Sequence, residues 1–180
     1  YSDLKPIKTE NVLGFLEGSD RKEEVIVITA HYDHVGVKKD GVGDLIHNGA
    51  DDNASGTAAL IELAKLLKKA KAPKNNYLFV AFSGEELGLY GSKYFVENPT
   101  ISLEKVNYMI NMDMVGRLND SSKTITVGGF GTSTSWNEIL YGVKKPGFNI
   151  KVDSSGTGPS DHTSFYRKNI PVLFFFTGLH

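Results

Sequence analysis

Three runs of apolar, β-branched and aromatic residues stand out along the chain, at 25–30 (VIVITA), 77–83 (YLFVAFS) and 106–114 (VNYMINMDM). They lack the strict alternation of apolar and polar positions that marks a half-exposed strand, so they predict strands buried on both faces. Strands of this kind occur in sheets that other elements cover on both sides. We therefore expect the core to be built around such a sheet.

Helical patterns lie between these predicted strands. The segment 54–70 carries Leu60, Leu63, Ala64 and Leu67 on one helical stripe and gathers lysines in its last turn, and Pro73 stops it. A second helix is predicted over 86–97, with Asn98 and Pro99 as its stop. The alternation of strand, helix, strand, helix and strand is typical of an α/β domain whose largely parallel sheet is joined by right-handed crossovers.

The last third of the chain continues this alternation. The pattern predicts a short strand near TITVGG, a helix over about 136–143, a strand near FNIKV, a glycine-rich loop SSGTGPS and a last strand over 171–176. No internal repeat, low-complexity tract or linker divides the chain. The predicted fold class is therefore α/β, a three-layer αβα domain with a central, mostly parallel mixed sheet over residues 1–180.

Composition narrows the possible functions. The chain has 180 residues, 40% of them hydrophobic and 23% charged, which is ordinary for one globular domain. A net charge of -1 gives no reason to expect a nucleic-acid partner, and no apolar run approaches the roughly 20 residues that a membrane span needs. Because there are no cysteines, any metal must be held by His, Asp and Glu.

Acidic and imidazole side chains follow the predicted strands. His31 ends the first run, Glu85 and Glu86 follow the second, Asp113 ends the third, and Asp51 opens the first crossover helix. The carboxyl ends of parallel strands meet at one rim, where these carboxylates would repel one another without a cation. Such donors suit Zn²⁺, with Mn²⁺ or Co²⁺ as substitutes. A carboxylate between two half-sites can bridge two metals about 3.5–4 Å apart.

Each of these residues also has a purely structural explanation. His31 fits a hydrogen-bonded histidine at a strand end, Asp51 and Asp52 fit a helix N-cap pair, and Glu85 with Glu86 fits the acids that favour a helix start. A charged residue that ends an apolar run, as Asp113 does, is rarely buried without a partner. The coincidence of all of them at matching strand ends favours the metal hypothesis.

Five motifs resemble, in order, a known family: AHYDHVG (30–36), NGADDNASG (48–56), FSGEELGLYGS (82–92), NMDMVGR (111–117) and SDHTSF (160–165). They resemble the co-catalytic di-zinc aminopeptidases of the bacterial leucyl aminopeptidase type. Their superfamily also holds glutaminyl cyclases, glutamate carboxypeptidases and the transferrin receptor ectodomain. The resemblance implies a zinc-exopeptidase fold and a metal-dependent aminopeptidase that hydrolyses N-terminal residues from peptides.

The resemblance also assigns roles to individual residues. It implies that two zinc ions are held by His31, Asp51, Glu86 and Asp113. In this assignment Asp51 bridges both ions, and a cis peptide bond joins it to Asp52. Glu85 is the implied general base, and Asp33 is the acid that orients the imidazole of His31. Asp161 and His162 are expected to bind substrate or stabilise the reaction intermediate, with a structural hydrogen bond as the alternative for His162.

One implied ligand is missing from the pattern. The family supplies a fifth ligand, a histidine beside Glu86, from a Tyr-His pair after the final strand. Here the chain stops at TGLH, so the ligand either lies beyond His180 or is replaced by His180. The resemblance therefore implies a catalytic core shortened at both ends. Two alternatives to an aminopeptidase stay open. One is a glutaminyl cyclase or carboxypeptidase on the same scaffold, and the other is a receptor-like binding domain without catalysis. The resemblance favours an extracellular or periplasmic location and leaves the oligomeric state open.

Overall fold

The computed structural model describes residues 8–19, 21–70, 74–142 and 147–179, and this part of the chain contains seven strands and four α-helices. The strands are β1 (Val12–Leu16), β2 (Arg21–His31), β3 (Asn75–Phe82), β4 (Val106–Met112), β5 (Thr124–Gly128), β6 (Asn149–Val152) and β7 (Val172–Phe176). The helices are α1 (Gly56–Lys69), α2 (Tyr90–Glu97), α3 (Trp136–Gly142) and α4 (His162–Tyr166). Pro73 and His180 lie outside the described residues.

The seven strands form one mixed sheet in the order β1-β3-β2-β4-β7-β5-β6. The four central strands, β3, β2, β4 and β7, run parallel to one another. At the edges, β1 pairs antiparallel with β3, and β5 pairs antiparallel with β7 and parallel with β6. This arrangement confirms the predicted α/β class with a mostly parallel mixed sheet.

Helices cover both faces of the sheet. Alternate residues of β2 point to opposite faces, so Val25 and Val27 pack with Phe95 of α2 and Phe165 of α4. Ile26 and its alternate neighbours pack on the other face, where α1 contributes Leu60 and its neighbouring apolar residues. Each such fully buried aliphatic or aromatic side chain contributes roughly 1.5–3 kcal/mol to folding. The central strands read as unbroken apolar runs because both of their faces are buried.

Two helices differ from the prediction. The second helix begins at Tyr90 and not at residue 86, so that boundary was wrong. Residues 84–89 instead form a turn, in which Gly84 and Leu89 have positive φ and the amide of Gly88 donates to the carbonyl of Glu85. Glu85 and Glu86 therefore occupy a tight turn and not the first turn of a helix. The sequence pattern also gave no sign of α4, which is only five residues long.

The carboxyl ends of three adjacent strands, β3, β2 and β4, lie side by side. His31 is the last residue of β2, Asp113 follows β4 directly, and the Glu85 turn follows β3. The parallel register between β2 and β4 pairs Thr29 with Asn111, which brings the two strand ends to the same level. No helix among the described residues has the length and apolar character required to cross a membrane.

Candidate metal centre

One group of possible ligands centres on His31, whose side chain is almost fully buried. Its Nε2 lies 3.3 Å from Asp113 Oδ1, 3.2 Å from Asp52 Oδ1 and 4.0 Å from Glu85 Oε2. Neither His31 Nε2 nor Asp113 Oδ1 has a hydrogen-bond partner within the described residues, although both atoms are buried. Buried polar atoms are rarely left in this state, so the pair is arranged for a further partner.

The charges around His31 are strongly unbalanced. Burial by itself lowers the pKa of His31, but the neighbouring carboxylates of Asp113, Asp33 and Glu85 outweigh burial and raise it to about 11. Such a shift means that this point in the molecule strongly favours a positive charge. A divalent cation meets that demand and also supplies the missing partner of the two buried atoms.

A second group lies nearer the surface and consists of His34, Asp52 and Glu86. His34 Nδ1 is 2.7 Å from Glu86 Oε1 and 3.8 Å from Asp52 Oδ2. The three side chains are 23%, 33% and 20% exposed, respectively, so this half of the centre is open to solvent. The sequence pattern had not singled out His34.

Asp52 lies between the two groups. Its Oδ1 faces His31 and its Oδ2 faces His34, which is the position of a carboxylate that serves two ions. This geometry favours Asp52 over Asp51, the residue that the resemblance implied as the bridge. Asp51 Oδ1 instead accepts a hydrogen bond of 2.7 Å from the amide of Gly116. The cis peptide bond likewise joins Asp52 to Asn53 and not Asp51 to Asp52.

The turn Ala50–Ser55 aims Asp52 into the centre. Asp52 and Asn53 have non-helical backbone angles within it. The buried side chain of Asn53 donates to the carbonyl of Met112 at 3.0 Å and accepts from the amide of Gly56 at 2.9 Å. A Cβ at Gly56 would lie 2.3 Å from Asn53 Oδ1, so only glycine fits there. This anchor ties the turn to the end of β4, next to Asp113.

Asp33 connects the end of β2 to the Glu85 turn. Its carboxylate accepts hydrogen bonds from the amides of Glu85 at 3.2 Å and Glu86 at 3.4 Å. The Nδ1 of His31 is 3.1 Å from the Asp33 carbonyl oxygen and 3.7 Å from its carboxylate. Asp33 therefore positions both the imidazole and the turn that carries the two glutamates.

Glu85 is a buried acid beside the first group. Burial raises the pKa of Glu85 to about 8, against the opposing charge of His31, and the carboxylates of Asp161 and Asp113 act in the same direction as burial. A carboxyl group with a pKa near neutrality can both accept and release a proton at ordinary pH, which is the requirement for a general base.

A chain of buried hydrogen bonds fixes the carboxylate of Asp113. Ser160 Oγ donates to Asp113 Oδ2 at 2.8 Å, and Asn111 Nδ2 donates to Ser160 Oγ at 2.8 Å. Thr29 Oγ1 in turn donates to Asn111 Oδ1 at 2.7 Å. Because Oδ2 is occupied, Oδ1 is the oxygen that faces His31. Thr29 and Asn111 were recognisable only as polar residues within apolar strands, and their role was missed.

Asp161 and His162 lie in the interior and not on an open substrate surface. Burial raises the pKa of Asp161 to about 7, and the charge of Asp113 acts in the same direction. The ring of His162 is stacked on Phe174, with centroids 4.4 Å apart, and burial lowers the pKa of His162 to about 4. His162 is thus held neutral in the core at ordinary pH. Substrate binding by this pair stays a prediction.

The two groups fit metal ions. Within each, one ligand atom per residue lies within 4.8 Å of every other, and the donors are carboxylate oxygens and imidazole nitrogens. This donor set suits Zn²⁺, Mn²⁺ or Co²⁺. The two buried atoms without a hydrogen-bond partner among the described residues, His31 Nε2 and Asp113 Oδ1, lie 3.3 Å apart, as expected of ligands of a shared cation.

Comparisons with known proteins agree with this arrangement. The model of peptidase family M28 matches residues 11–180. Aminopeptidase YwaD of Bacillus subtilis (strain 168) is 30% identical over 176 residues, which are 94% of this chain and 36% of that protein. Leupeptin-inactivating enzyme 1 of Streptomyces exfoliatus is 33% identical over 138 residues, 72% of this chain and 29% of that protein.

A solved structure gives the same picture. The zinc aminopeptidase BSAP of Bacillus subtilis superposes with a TM-score of 0.75 and 30% sequence identity, over 93% of this chain and 40% of that one. This chain therefore spans well under half the length of each of these relatives.

Proposed function

Because the chain belongs to peptidase family M28, we propose that it is a zinc-dependent aminopeptidase that removes N-terminal residues from peptides. The observation that carries the proposal is the position of Asp52 between the imidazoles of His31 and His34, with the buried acid Glu85 beside it. Two half-sites that share one carboxylate, next to a general base, are the parts that metal-assisted peptide hydrolysis needs.

In this proposal His31 and Asp113 would hold the first zinc ion, Glu86 would hold the second, and Asp52 would contribute to both. Zinc held there would lower the pKa of a bound water toward neutrality and would polarise the substrate carbonyl. Mn²⁺ and Co²⁺ have compatible ligand preferences and are proposed as substitutes.

Glu85 carries the proton transfers. Its carboxylate takes a proton from the attacking water as the water oxygen bonds to the carbonyl carbon of the first peptide bond. The protonated Glu85 then gives that proton to the nitrogen of the leaving amine as the carbon–nitrogen bond breaks. The position of Glu85 supports both steps, since its Oε2 lies 4.0 Å from Nε2 of His31, beside the first ligand group.

The free amino terminus of the substrate explains the restriction to N-terminal residues. Asp52 and Glu86 are partly exposed and carry negative charge at the open side of the centre. They are suited to receive an α-amino group next to the second ion, whereas an acetylated terminus lacks the charge and a free lone pair.

An extracellular or periplasmic location is also proposed, on the family resemblance alone.

The substrate assignment is tested with three peptides. An aminoacyl anilide should be hydrolysed by the zinc-loaded protein, and its N-acetyl derivative should not be. A peptide with N-terminal glutamine should lose that residue without formation of a pyroglutamyl product. Cyclisation without hydrolysis would support a glutaminyl cyclase instead, and equal cleavage of the acetylated anilide would contradict an aminopeptidase.

A further inference from the structure

We propose that His34 is a ligand of the second metal ion, so that the described residues give each half-site an imidazole nitrogen and carboxylate oxygens. The inference rests on the proposed two-metal function, and it concerns a residue that the family resemblance does not assign to either ion. It follows from the contacts of His34 with Glu86 and Asp52.

The distances within the second half-site suit one small cation. Two donors that are each about 2.0–2.2 Å from a tetrahedral zinc ion lie about 3.3–3.6 Å apart. His34 Nδ1 is 2.7 Å from Glu86 Oε1 and 3.8 Å from Asp52 Oδ2, which brackets that range. Small side-chain rotations are therefore enough to bring all three donors around one ion.

The backbone fixes His34 in this position. His34 follows Asp33, whose carboxylate holds the amides of Glu85 and Glu86. On its other side the chain passes very close, because a Cβ at Gly49 would lie 3.1 Å from the Cβ and Cγ of His34. The ring of His47 meets the His34 ring edge-on, with centroids 6.1 Å apart. The imidazole is thus confined between these groups with Nδ1 directed at Glu86.

The kind of donors argues in the same direction. Among the described residues, Asp52 and Glu86 accompany His34 in this group. An imidazole nitrogen and carboxylate oxygens are both donors that zinc sites in proteins use. A second interpretation is that His34 only donates a hydrogen bond to Glu86 and orients it, and the experiment must separate the two.

Glutamine separates the two roles, because its side-chain amide still donates a hydrogen bond but is a poor zinc ligand. The metal-free chain is titrated with Zn²⁺ by calorimetry, and with Co²⁺ while the visible absorption is recorded. Wild type should bind two equivalents. Both His34→Ala and His34→Gln should leave the first equivalent unchanged, weaken the second at least about 10-fold and alter the Co²⁺ spectrum of the second equivalent only.

Lys65→Ala is the control, since it changes an exposed side chain of α1 that lies outside both ligand groups, and it should bind like wild type. Retained binding of the first equivalent shows that each variant is folded. The inference is overturned if His34→Gln binds the second equivalent as wild type does, because His34 then acts through a hydrogen bond. If wild type itself binds fewer than two equivalents, the two-metal function fails as well.

Discussion

His31 ends β2, Asp113 directly follows the neighbouring parallel strand β4, and His31 Nε2 and Asp113 Oδ1 lie 3.3 Å apart. Neither of these buried atoms has a hydrogen-bond partner within the described residues. The rest of the protein maintains this arrangement, since Ser160 occupies the other oxygen of Asp113 and Asp33 contacts the other nitrogen of His31. The two atoms that remain lie within reach of one shared cation. This convergence is the structural basis for the proposed metal centre.

Replacing each acid of the Asp51-Asp52 pair by asparagine tests which one bridges. Asp52→Asn should lower kcat/KM at least about 100-fold and reduce the zinc content, because the shared ligand loses its charge. Asp51→Asn keeps an oxygen that accepts the hydrogen bond from Gly116 and should change either quantity much less. Activity assays and elemental analysis measure the two quantities. Larger losses of activity and zinc in Asp51→Asn than in Asp52→Asn would indicate that Asp51 is the bridge.

Glu85→Gln should lower kcat by about 100- to 10,000-fold, because the amide cannot take the proton of the attacking water. Zinc content should stay that of wild type, since Glu85 is proposed as a base and not as a ligand. Steady-state kinetics and elemental analysis on the same preparation measure both. Loss of zinc together with activity would make Glu85 a ligand, and unchanged turnover would remove it from the mechanism.

Ser160→Ala should weaken the first zinc site by about 10- to 100-fold, because Asp113 loses the donor that fixes its orientation. The substitution also removes the acceptor of the Asn111 side chain, which should cost about 1–3 kcal/mol of stability. Zinc titration and urea unfolding test the two effects. Ser155→Ala, on an exposed loop, is the control. Equal zinc affinity in both variants would show that the network does not position Asp113.

His162 should make the metal-free protein acid-sensitive. Its pKa is lowered to about 4 in the folded state by burial, so folding favours the neutral ring. This contribution to the free energy of unfolding is fully present above about pH 6.5, the pKa of the histidine in the unfolded chain. It decreases by roughly 3 kcal/mol as the pH falls to 4. His162→Gln should lose correspondingly less stability than wild type between pH 7 and pH 4 in urea unfolding with chelator present. Parallel curves for the two proteins would contradict the buried neutral state.

The general location of the centre was predictable from the sequence, and its detailed geometry was not. Apolar strands that end in acids or histidine point to a shared rim, which is why His31 and Asp113 could be chosen as candidates. Asp51 and Asp52 could not be told apart, since the choice depends on backbone angles inside the turn and on the anchor of Asn53.

His34 and Glu86, whose positions the pattern did not predict, lie outside the helices and strands. His34 lies in a loop after β2, where the alternation of a strand no longer fixes the direction of a side chain. The pattern placed Glu86 in a helix because acids favour helix starts, whereas a turn with positive φ at Gly84 carries it. Such turns depend on hydrogen bonds to distant residues, here those from Asp33, which no local pattern reveals.

Anomalous diffraction at the zinc edge, from crystals of the zinc-loaded protein, tests the central claim most directly. The two-metal account predicts two zinc peaks about 3.5–4 Å apart on either side of the Asp52 carboxylate. One peak should lie beside His31 and Asp113, and the other beside Glu86. A single peak, or a pair that flanks Asp51 instead of Asp52, would contradict it.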